Sequence, residues 1–172
     1  MDSKIVTQFV VASEQGVKAL LELAQTITRE KFASLLSPQK TDKYLAAKYS
    51  KQALIDEVNN LSNQWLVVYV NDKPTGFARI TSKGERPEML AQKRVVRIAD
   101  FGILNACANE MVRQSLWDKC CAVCKSYEAI WMHEYAENPL IAFFESQGFR
   151  QQEEAAAPDE LLLPSVYLIK QA

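Results

Sequence analysis

The side chains best suited to accept a proton are concentrated in two apolar segments of the chain. Asp100 lies within Val95–Leu104, and His133 and Glu134 lie near the end of Tyr127–Tyr135. An aspartate within an apolar strand has either a raised pKa or a paired charge. A histidine titrates near neutrality and serves there as a base or, more often, as a hydrogen-bonded filler. Asp100, His133 and Glu134 are therefore the side chains of these segments that could act as a base, and we take them as catalytic candidates.

The four cysteines suggest a metal site or a redox pair at first sight. Cys120, Cys121 and Cys124 fall within one helical segment, and Cys107 precedes it. Zinc sites need a second pair of cysteines or histidines elsewhere, and the chain has one histidine. Cysteines on neighbouring turns of a helix are poorly placed for disulfides. We therefore expect four thiols, no metal and a cytoplasmic location.

Length and charge narrow the classes of function. The chain has 172 residues and a net charge of −1. The length predicts one domain, residues 1–172, and the charge argues against a nucleic-acid partner, which a clustered basic face would favour. No run of 18 apolar residues occurs, so we expect no membrane span. The N-terminal segment also lacks the apolar core of a signal peptide.

The N-terminal part of the chain has the pattern of one strand followed by three helices. Ile5–Val11 alternates as a strand does, and Ser13 is a good cap for a helix that closes near Leu35–Pro38. Lys43–Tyr49 is helical in pattern. A third helix is predicted after Ser50, with an apolar face formed by Leu54, Ile55, Val58 and Leu61.

The rest of the chain alternates strands with helices. Trp65–Val70 and Phe77–Thr81 form a predicted hairpin around the turn residues Asn71–Gly76, and Lys83–Lys93 is polar enough to be a flexible loop. This alternation predicts an α/β fold with a mixed sheet. The later elements are a strand, a helix, a strand, a short helix and two strands, predicted at Val95–Leu104, Asn109–Lys125, Tyr127–Tyr135, the segment before Gly148, Arg150–Glu154 and Ser165–Ile169.

Two segments resemble a known superfamily. Tyr127–Phe149, YEAIWMHEYAENPLIAFFESQGF, resembles the last conserved block of the GNAT N-acetyltransferases, in which an apolar strand leads through an Asn-containing loop to a helix ending in Gly-Phe. The order of elements in Phe32–Ile80 is similar to the PaiA-type branch, which acetylates polyamines. The resemblance implies a single GNAT-like domain. Its central sheet would be mixed and mostly antiparallel, with about six or seven strands and helices on both faces.

In that fold, Val95–Leu104 and Tyr127–Tyr135 are neighbouring parallel strands. The apolar residues of these strands and of the following helix are then expected to be mostly buried. They are Ile98, Phe101, Ile103, Ile130, Leu140, Ile141 and Phe143.

The resemblance also implies acetyl-CoA as a co-substrate, held by free strand amides and by a glycine turn at a helix start. The family turn has Gln or Arg, two residues, Gly, one residue, and Gly or Ala. Matching the helices puts Ala108 in the Gln/Arg slot and Met111 and Arg113 at the glycines, so we expect weak binding of acetyl-CoA. Arg113 either pairs with a phosphate or is a solvated surface residue.

The implied contacts to acetyl-CoA include three further parts of the chain. Phe144 stands where family members often have a tyrosine that protonates the departing thiolate, and Asn138 resembles the asparagine of the family loop. The complete set is Ile103, Leu104, Ala108, Met111, Arg113, Asn138 and Phe144.

The acceptor is implied to contact Phe32, Tyr44, Tyr49 and Tyr135, although aromatic residues at helical spacing are also explained by core packing. Two classes of function stay open. One is an N-acetyltransferase acting on a small amine or a protein N-terminus, with a homodimer as one possible assembly. The other is a catalytically inactive GNAT-fold protein that binds another ligand or a protein partner.

Overall fold

The computed structural model describes residues 2–172 and places them in five α-helices and seven β-strands. The helices are α1 (Glu14–Phe32), α2 (Pro38–Lys48), α3 (Lys51–Asn59), α4 (Glu110–Cys124) and α5 (Ile141–Ser146). The strands are β1 (Ile5–Phe9), β2 (Asn63–Val70), β3 (Lys73–Thr81), β4 (Val95–Ile103), β5 (Ala129–Tyr135), β6 (Arg150–Ala155) and β7 (Ser165–Gln171). Short 3-10 turns occur at Glu88–Leu90 and Asn105–Cys107.

The strands form one seven-stranded sheet in the order β1-β2-β3-β4-β5-β7-β6. β4 and β5 are parallel, with Val95–Arg97 opposite Ala129–Trp131. The pairs β1–β2, β5–β7 and β6–β7 are antiparallel. The predicted α/β fold with a mixed, mostly antiparallel sheet is confirmed, and so is the parallel pair of central strands.

The described residues divide into two compact units, and β4 runs from one into the other. The first unit comprises residues 2–80 and Asp100–Val123, and the second comprises Thr81–Ala99 and Cys124–Ala172. The expectation of one domain stays a prediction.

Serine caps begin the three N-terminal helices of the first unit. Ser13, Ser37 and Ser50 each accept a hydrogen bond from the amide three residues later, at 3.0, 3.3 and 3.2 Å. The first helix ends before the predicted close at Leu35–Pro38. α1 ends at Phe32, and Pro38 is the first residue of α2, where a residue without an amide hydrogen is tolerated.

The core of the first unit lies between these helices and the strands β2 and β3. The buried apolar residues are contributed by all five elements: Val17, Leu20, Leu23, Ala24, Ile27, Leu45, Tyr49, Leu54, Trp65, Val67 and Phe77. The prediction that Leu61 shares the buried face of the third helix is wrong. α3 ends at Asn59, and Leu61 is 101% exposed in the turn before β2.

The hairpin between β2 and β3 is tighter than the sequence indicates. The turn is formed by Asn71 and Asp72, with φ of 48° and 66°, and β3 begins already at Lys73. Asparagine and aspartate tolerate positive φ better than other side chains, which explains a two-residue turn at this position.

The second unit buries a smaller apolar cluster beside β5 and β7. Leu90, Val95, Ala129, Trp131, Tyr167 and Ile169 form it. The prediction that Lys83–Lys93 is a flexible loop is wrong in part. The segment contains a 3-10 turn at Glu88–Leu90, and Leu90 is completely buried.

The burial expected for the central strands and α5 is largely confirmed. Ile98, Phe101, Ile130, Ile141 and Phe143 are buried, whereas Ile103 and Leu140 are half-buried. The four cysteines are present as thiols, with Cys120 and Cys124 buried on α4. Within residues 2–172, no helix is both long and apolar enough to cross a membrane.

A pair of leucine variants tests the corrected end of α3. Leu54→Ala removes a side chain that is 1% exposed and should lower the free energy of unfolding by about 2–5 kcal/mol. Leu61→Ala removes an exposed side chain and should change it by no more than about 0.5 kcal/mol. Urea denaturation measures both, and equal losses would contradict the described end of the helix.

Candidate functional site

The Asp100 carboxylate is the centre of a charged network in the first unit. Its Oδ1 accepts hydrogen bonds from Lys48 Nζ at 3.2 Å and from the Tyr49 hydroxyl at 3.1 Å. Its Oδ2 accepts from Arg79 Nε at 2.7 Å. Arg79 Nη1 also donates to Glu57 Oε2 at 3.2 Å. The network therefore joins β4, β3, α2 and α3 through their side chains.

Aromatic rings hold the two cations of this network. Lys48 Nζ lies 5.3 Å from the centres of both the Tyr44 and the Tyr49 rings and donates to the Tyr44 hydroxyl at 2.8 Å. The Arg79 guanidinium lies 5.4 Å from the centre of the Trp65 ring. These contacts fix both cations with their polar groups toward Asp100.

The charges of the network determine its protonation. Burial alone would raise the pKa of Asp100. The positive charges of Lys48 and Arg79 have the larger combined effect and hold this pKa well below the usual range of an aspartate. Burial alone would lower the pKa of Lys48, and the neighbouring Asp100 charge raises it instead. Burial raises the pKa of Tyr49, and Asp100 adds to that rise. Of the two alternatives for Asp100, the structure shows the paired charge, and a catalytic role for this residue stays a prediction.

The other two catalytic candidates lie on β5 in the second unit, and their side chains point to opposite faces of the sheet. His133 Nε2 is 2.8 Å from the Ala157 carbonyl oxygen. Since a carbonyl only accepts, Nε2 is the donor, and in the neutral ring Nδ1 keeps its lone pair. Glu134 is buried, and its Oε1 accepts from the Tyr135 amide at 2.9 Å. His133 and Glu134 therefore do not face one site together.

Tyr135, predicted to contact the acceptor, is buried, and its hydroxyl donates to Asp159. The other predicted acceptor contacts lie in the first unit. Phe32 and Tyr49 are almost completely buried, and Phe32 packs edge-on against Tyr44 with ring centres 5.6 Å apart. Tyr44 is half-buried. Core packing explains Phe32, while Tyr44 and Tyr49 belong to the Asp100 network.

The start of α4 contains the residues predicted to replace the phosphate-binding glycines. Asn109 caps this helix: its Oδ1 accepts from the Val112 amide at 3.0 Å, and its carbonyl accepts from the Arg113 amide at 3.1 Å. Glu110 adds a carboxylate to the first turn. Met111 is 71% exposed. The helix start is thus capped by the chain's own side chain and has a negative charge where a phosphate would need a positive one.

The turn before α4 also uses its amides internally. The Leu104 amide donates to the Thr75 carbonyl at 2.8 Å, and the Ala108 amide donates to the Asn105 carbonyl at 3.3 Å. Ile103, the last residue of β4, is half-buried. Three of the predicted contacts to acetyl-CoA, namely Leu104, Ala108 and Arg113, therefore have their amide hydrogens engaged within the chain.

The predicted contacts in the second unit have structural partners. Asn138 is buried, and its Oδ1 accepts from the Leu140 amide at 2.9 Å, which shapes the turn between β5 and α5. Phe144 is completely buried and packs against Phe143 and Phe149, with ring centres 5.7 and 5.9 Å away. Phe144 therefore has a packing role and no proton to donate.

Sequence reasoning missed Arg79, Glu57, Asn109 and Glu110. The ion pairs of Arg79 join residues 21 and 22 positions apart, so no local pattern reveals them. The pair Asn109-Glu110 did offer a signal, because an asparagine followed by an acidic residue is typical of a helix start.

The edge of β4 is the remaining feature of interest. Its register with β5 covers Val95–Arg97. β4 itself continues beyond this register to Ile103. Extended ligands can bind to a protein by adding a strand beside one of its own strands.

No protein-family model matches the chain. The structure is similar to PaiA N-acetyltransferase from Thermoplasma acidophilum, solved in complex with coenzyme A, with a TM-score of 0.77 and 14% identity over 100% of both chains. It is also similar to a GCN5-related N-acetyltransferase from Rhodopseudomonas palustris, with a TM-score of 0.73 and 11% identity over 100% of this chain and 99% of that one. This chain has the GNAT fold.

A third similar structure, a probable acetyltransferase from Staphylococcus epidermidis, has a TM-score of 0.72 and 14% identity over 98% of this chain and 99% of that one. The predicted GNAT resemblance is thus confirmed for the fold. Sequence identities this low carry no activity, substrate or site residue from those proteins to this chain.

Replacing Asp100 tests how far the GNAT fold of this chain depends on its charged network. The side chain is 13% exposed, and Asp100→Asn would leave Lys48 and Arg79 without their shared anion. We expect the free energy of unfolding at pH 7 to fall by about 3–5 kcal/mol, as for other broken buried ion pairs. Because the folded pKa of Asp100 is lowered, its stabilising contribution is present above about pH 4 and is lost as the pH falls further. The difference between wild type and variant should therefore narrow below about pH 4 in urea titrations.

The control for this variant is Asp42→Asn. Asp42 pairs with Arg29 on the surface, and the two side chains are 61% and 54% exposed. This change should cost about 0–1 kcal/mol. An Asp100→Asn variant as stable as Asp42→Asn at pH 7 would contradict the structural role of the network.

Proposed function

We propose that the chain is an acetyl-CoA-dependent N-acetyltransferase acting on a small primary amine or a protein N-terminal amine. The observation that carries the proposal is the length of β4: its register with β5 covers Val95–Arg97, and the strand continues to Ile103. The amides of a strand edge can bind an extended chain as an added strand. The pantetheine arm of acetyl-CoA is an extended chain with amide groups, and it fits such an edge.

The fold likeness supports the proposal. The PaiA enzyme that shares the fold over its whole length was solved with coenzyme A, so the architecture is compatible with that ligand. Acetyl-CoA would supply the acetyl thioester as a co-substrate. The protein would supply the strand edge that binds it and a group that accepts the proton of the amine.

The start of α4 does not fit the pyrophosphate of acetyl-CoA. The Val112 amide already donates a hydrogen bond to Asn109. Glu110 places a carboxylate at the N-terminal end of the helix, which otherwise attracts anions. Losing two charge-assisted hydrogen bonds, each worth about 1.5–3 kcal/mol, weakens binding by roughly two to four powers of ten. Acetyl-CoA should therefore bind through its pantetheine arm and with low affinity.

We assign the proton-accepting role to His133. Its Nε2–H donates to the Ala157 carbonyl, which leaves Nδ1 of the neutral ring as the acceptor. Asp100 is a poorer base, because its two oxygens accept three hydrogen bonds from Lys48, Tyr49 and Arg79. A departing thiolate needs no strong acid, since thiol pKa values lie near 8.5, and catalysis without a tyrosine at Phe144 is chemically reasonable.

The second candidate function is that of a GNAT-fold protein without catalysis. The observation that favours it is the same capped start of α4, together with the engaged Asp100 carboxylate. The two candidates differ in whether acetyl-CoA binds saturably and whether its acetyl group is transferred.

Removing the charge of Glu110 tests the account of acetyl-CoA binding. Saturating acetyl-CoA should raise the melting temperature of the wild type, since a ligand at 100 times its Kd stabilises by about 2.7 kcal/mol. Glu110→Gln should bind about two- to five-fold more tightly, because charges at a helix end are worth about 0.3–1 kcal/mol. Glu22→Gln, an exposed change on α1, should bind like the wild type. A wild type that shows no saturable binding would favour the non-catalytic alternative.

Replacing His133 tests the proposed base. His133→Gln keeps a hydrogen-bond donor for Ala157 but has no basic nitrogen, and kcat for acetylation of a panel of amines should fall about 100-fold or more. The Kd for acetyl-CoA should not change. Phe144→Leu should leave kcat unchanged while lowering stability, because the ring has no proton to donate. An unchanged kcat in His133→Gln would remove this residue from the mechanism.

A further inference from the structure

A cavity of about 340 Å³ lies in the first unit, lined by residues of α2, α3, β2 and β3. Its volume is at the lower end of the range for small-molecule sites, about 300–1,000 Å³. Part of its wall is apolar and consists of Ala47, Ala53 and Leu54. The aromatic residues Tyr49 and Trp65 also line the cavity, and its charged residues are Lys48, Arg79, Asp56 and Glu57.

The charged groups of the cavity differ in their exposure to solvent. Arg79 and Lys48 are the less exposed, with side chains 18% and 31% accessible. The Glu57 side chain is 41% accessible, and Asp56 is exposed. The two cations of the cavity are therefore less exposed than its two carboxylates, and from this order we infer that the carboxylates lie nearer to the solvent.

Both kinds of group have unused hydrogen-bonding capacity. Among residues 2–172, Arg79 donates from Nε to Asp100 and from Nη1 to Glu57, and Nη2 has no partner. Lys48 uses two of its three N–H groups, for Asp100 and for Tyr44.

The two carboxylates show the same pattern. In the described chain, Glu57 accepts only at Oε2, from Asn63 and Arg79, and Asp56 accepts only at Oδ1, from Gln52. Oε1 of Glu57 and Oδ2 of Asp56 are therefore available to a donor.

The balance of charge selects the ligand. The positive charges of Lys48 and Arg79 are already balanced by Asp100 and Glu57, so a simple anion gains little. A simple cation that entered the cavity would be repelled by the positive charges of Lys48 and Arg79. A zwitterion suits both kinds of charged group: its negative group lies beside the cations, and its positive group lies beside the carboxylates.

We propose that this cavity binds a free α-amino acid. Arg79 Nη1 and Glu57 Oε2 are 3.2 Å apart. The carboxylate and the ammonium of an α-amino acid are joined through one carbon and are about as close to each other as these two atoms. One ligand can therefore contact Arg79 with its carboxylate and Glu57 with its ammonium. Arg79 and Lys48 bind the carboxylate, and Glu57 and Asp56 bind the ammonium. The apolar wall then holds the side chain of the ligand.

This site is additional to the proposed acetyl transfer. An ammonium held between two carboxylates stays protonated and does not attack a thioester. The stacking of Arg79 on Trp65 and its bond to Asp100 hold the guanidinium in place before the ligand arrives, which lowers the cost of binding.

Calorimetric titration of the full chain, without acetyl-CoA, tests the proposal. Each of the twenty standard α-amino acids is titrated in turn, followed by the N-acetyl and carboxamide forms of the one that binds most tightly. We expect saturable 1:1 binding of the zwitterion. Each blocked form should bind about 10- to 100-fold more weakly, because it loses one charge-assisted contact.

Two variants and one control locate the site. Ala53→Phe fills the cavity and should abolish binding, and Glu57→Gln should weaken it about 10- to 100-fold. Ala46→Phe, an exposed change on α2 outside the cavity, should bind like the wild type.

The proposal is overturned if no amino acid binds saturably, if a blocked form binds as tightly as the zwitterion, or if folded Glu57→Gln binds like the wild type. Because acetyl-CoA is absent, none of these results bears on acetyl transfer.

Discussion

The first unit depends on one largely buried carboxylate that lies between two cations. Asp100 accepts from Lys48 of α2 and from Arg79 of β3, and the Tyr49 hydroxyl adds a third hydrogen bond. Each of these charges would be costly to bury alone, and together they compensate one another. The same contacts keep Asp100 ionised and aim Arg79 and Lys48 at the adjoining cavity. The interaction thus sets the geometry of a ligand site as well as the packing of the helices on β3 and β4.

The start of α4 shows a different balance between stability and ligand binding. Asn109 caps the helix, and Glu110 complements its positive end, so both residues stabilise the helix without any ligand. The same two features oppose a pyrophosphate. A protein that relies on acetyl-CoA bound at this helix start would not be expected to have them. The part of β4 beyond its register with β5 therefore carries the proposal of acetyl transfer, and the start of α4 lowers the expected affinity for acetyl-CoA.

Local patterns in the sequence predicted most of the fold. The continuous apolar run of Trp65–Val70 and the helical spacing after Ser13 each yielded the right element, because β2 is buried on both faces at Trp65–Val68 and α1 is buried on one. The errors arose where a residue or a segment is compatible with two different local structures. Pro38 suits the start of a helix as well as the residue after one, and the polar segment Lys83–Lys93 gave no sign that Leu90 is buried.

The candidate site was less predictable, because its contacts join distant parts of the chain. Asp100 was identified from its apolar surroundings, but Lys48 and Arg79, which determine its charge, lie 52 and 21 positions away. Hydrogen bonds such as that of His133 to Ala157 depend on the path of a loop 24 residues later. Sequence patterns identified residue types suited to chemistry, and only the folded chain shows which of them are engaged.

Hydrogen–deuterium exchange with and without saturating acetyl-CoA tests the central claim most directly. If the pantetheine arm binds along β4 beyond Val95–Arg97, the segment 98–103 should exchange more slowly when acetyl-CoA is present. Residues 108–113 at the start of α4 should exchange at the same rate in both conditions. Protection of residues 108–113, or unchanged exchange in residues 98–103, would contradict the account.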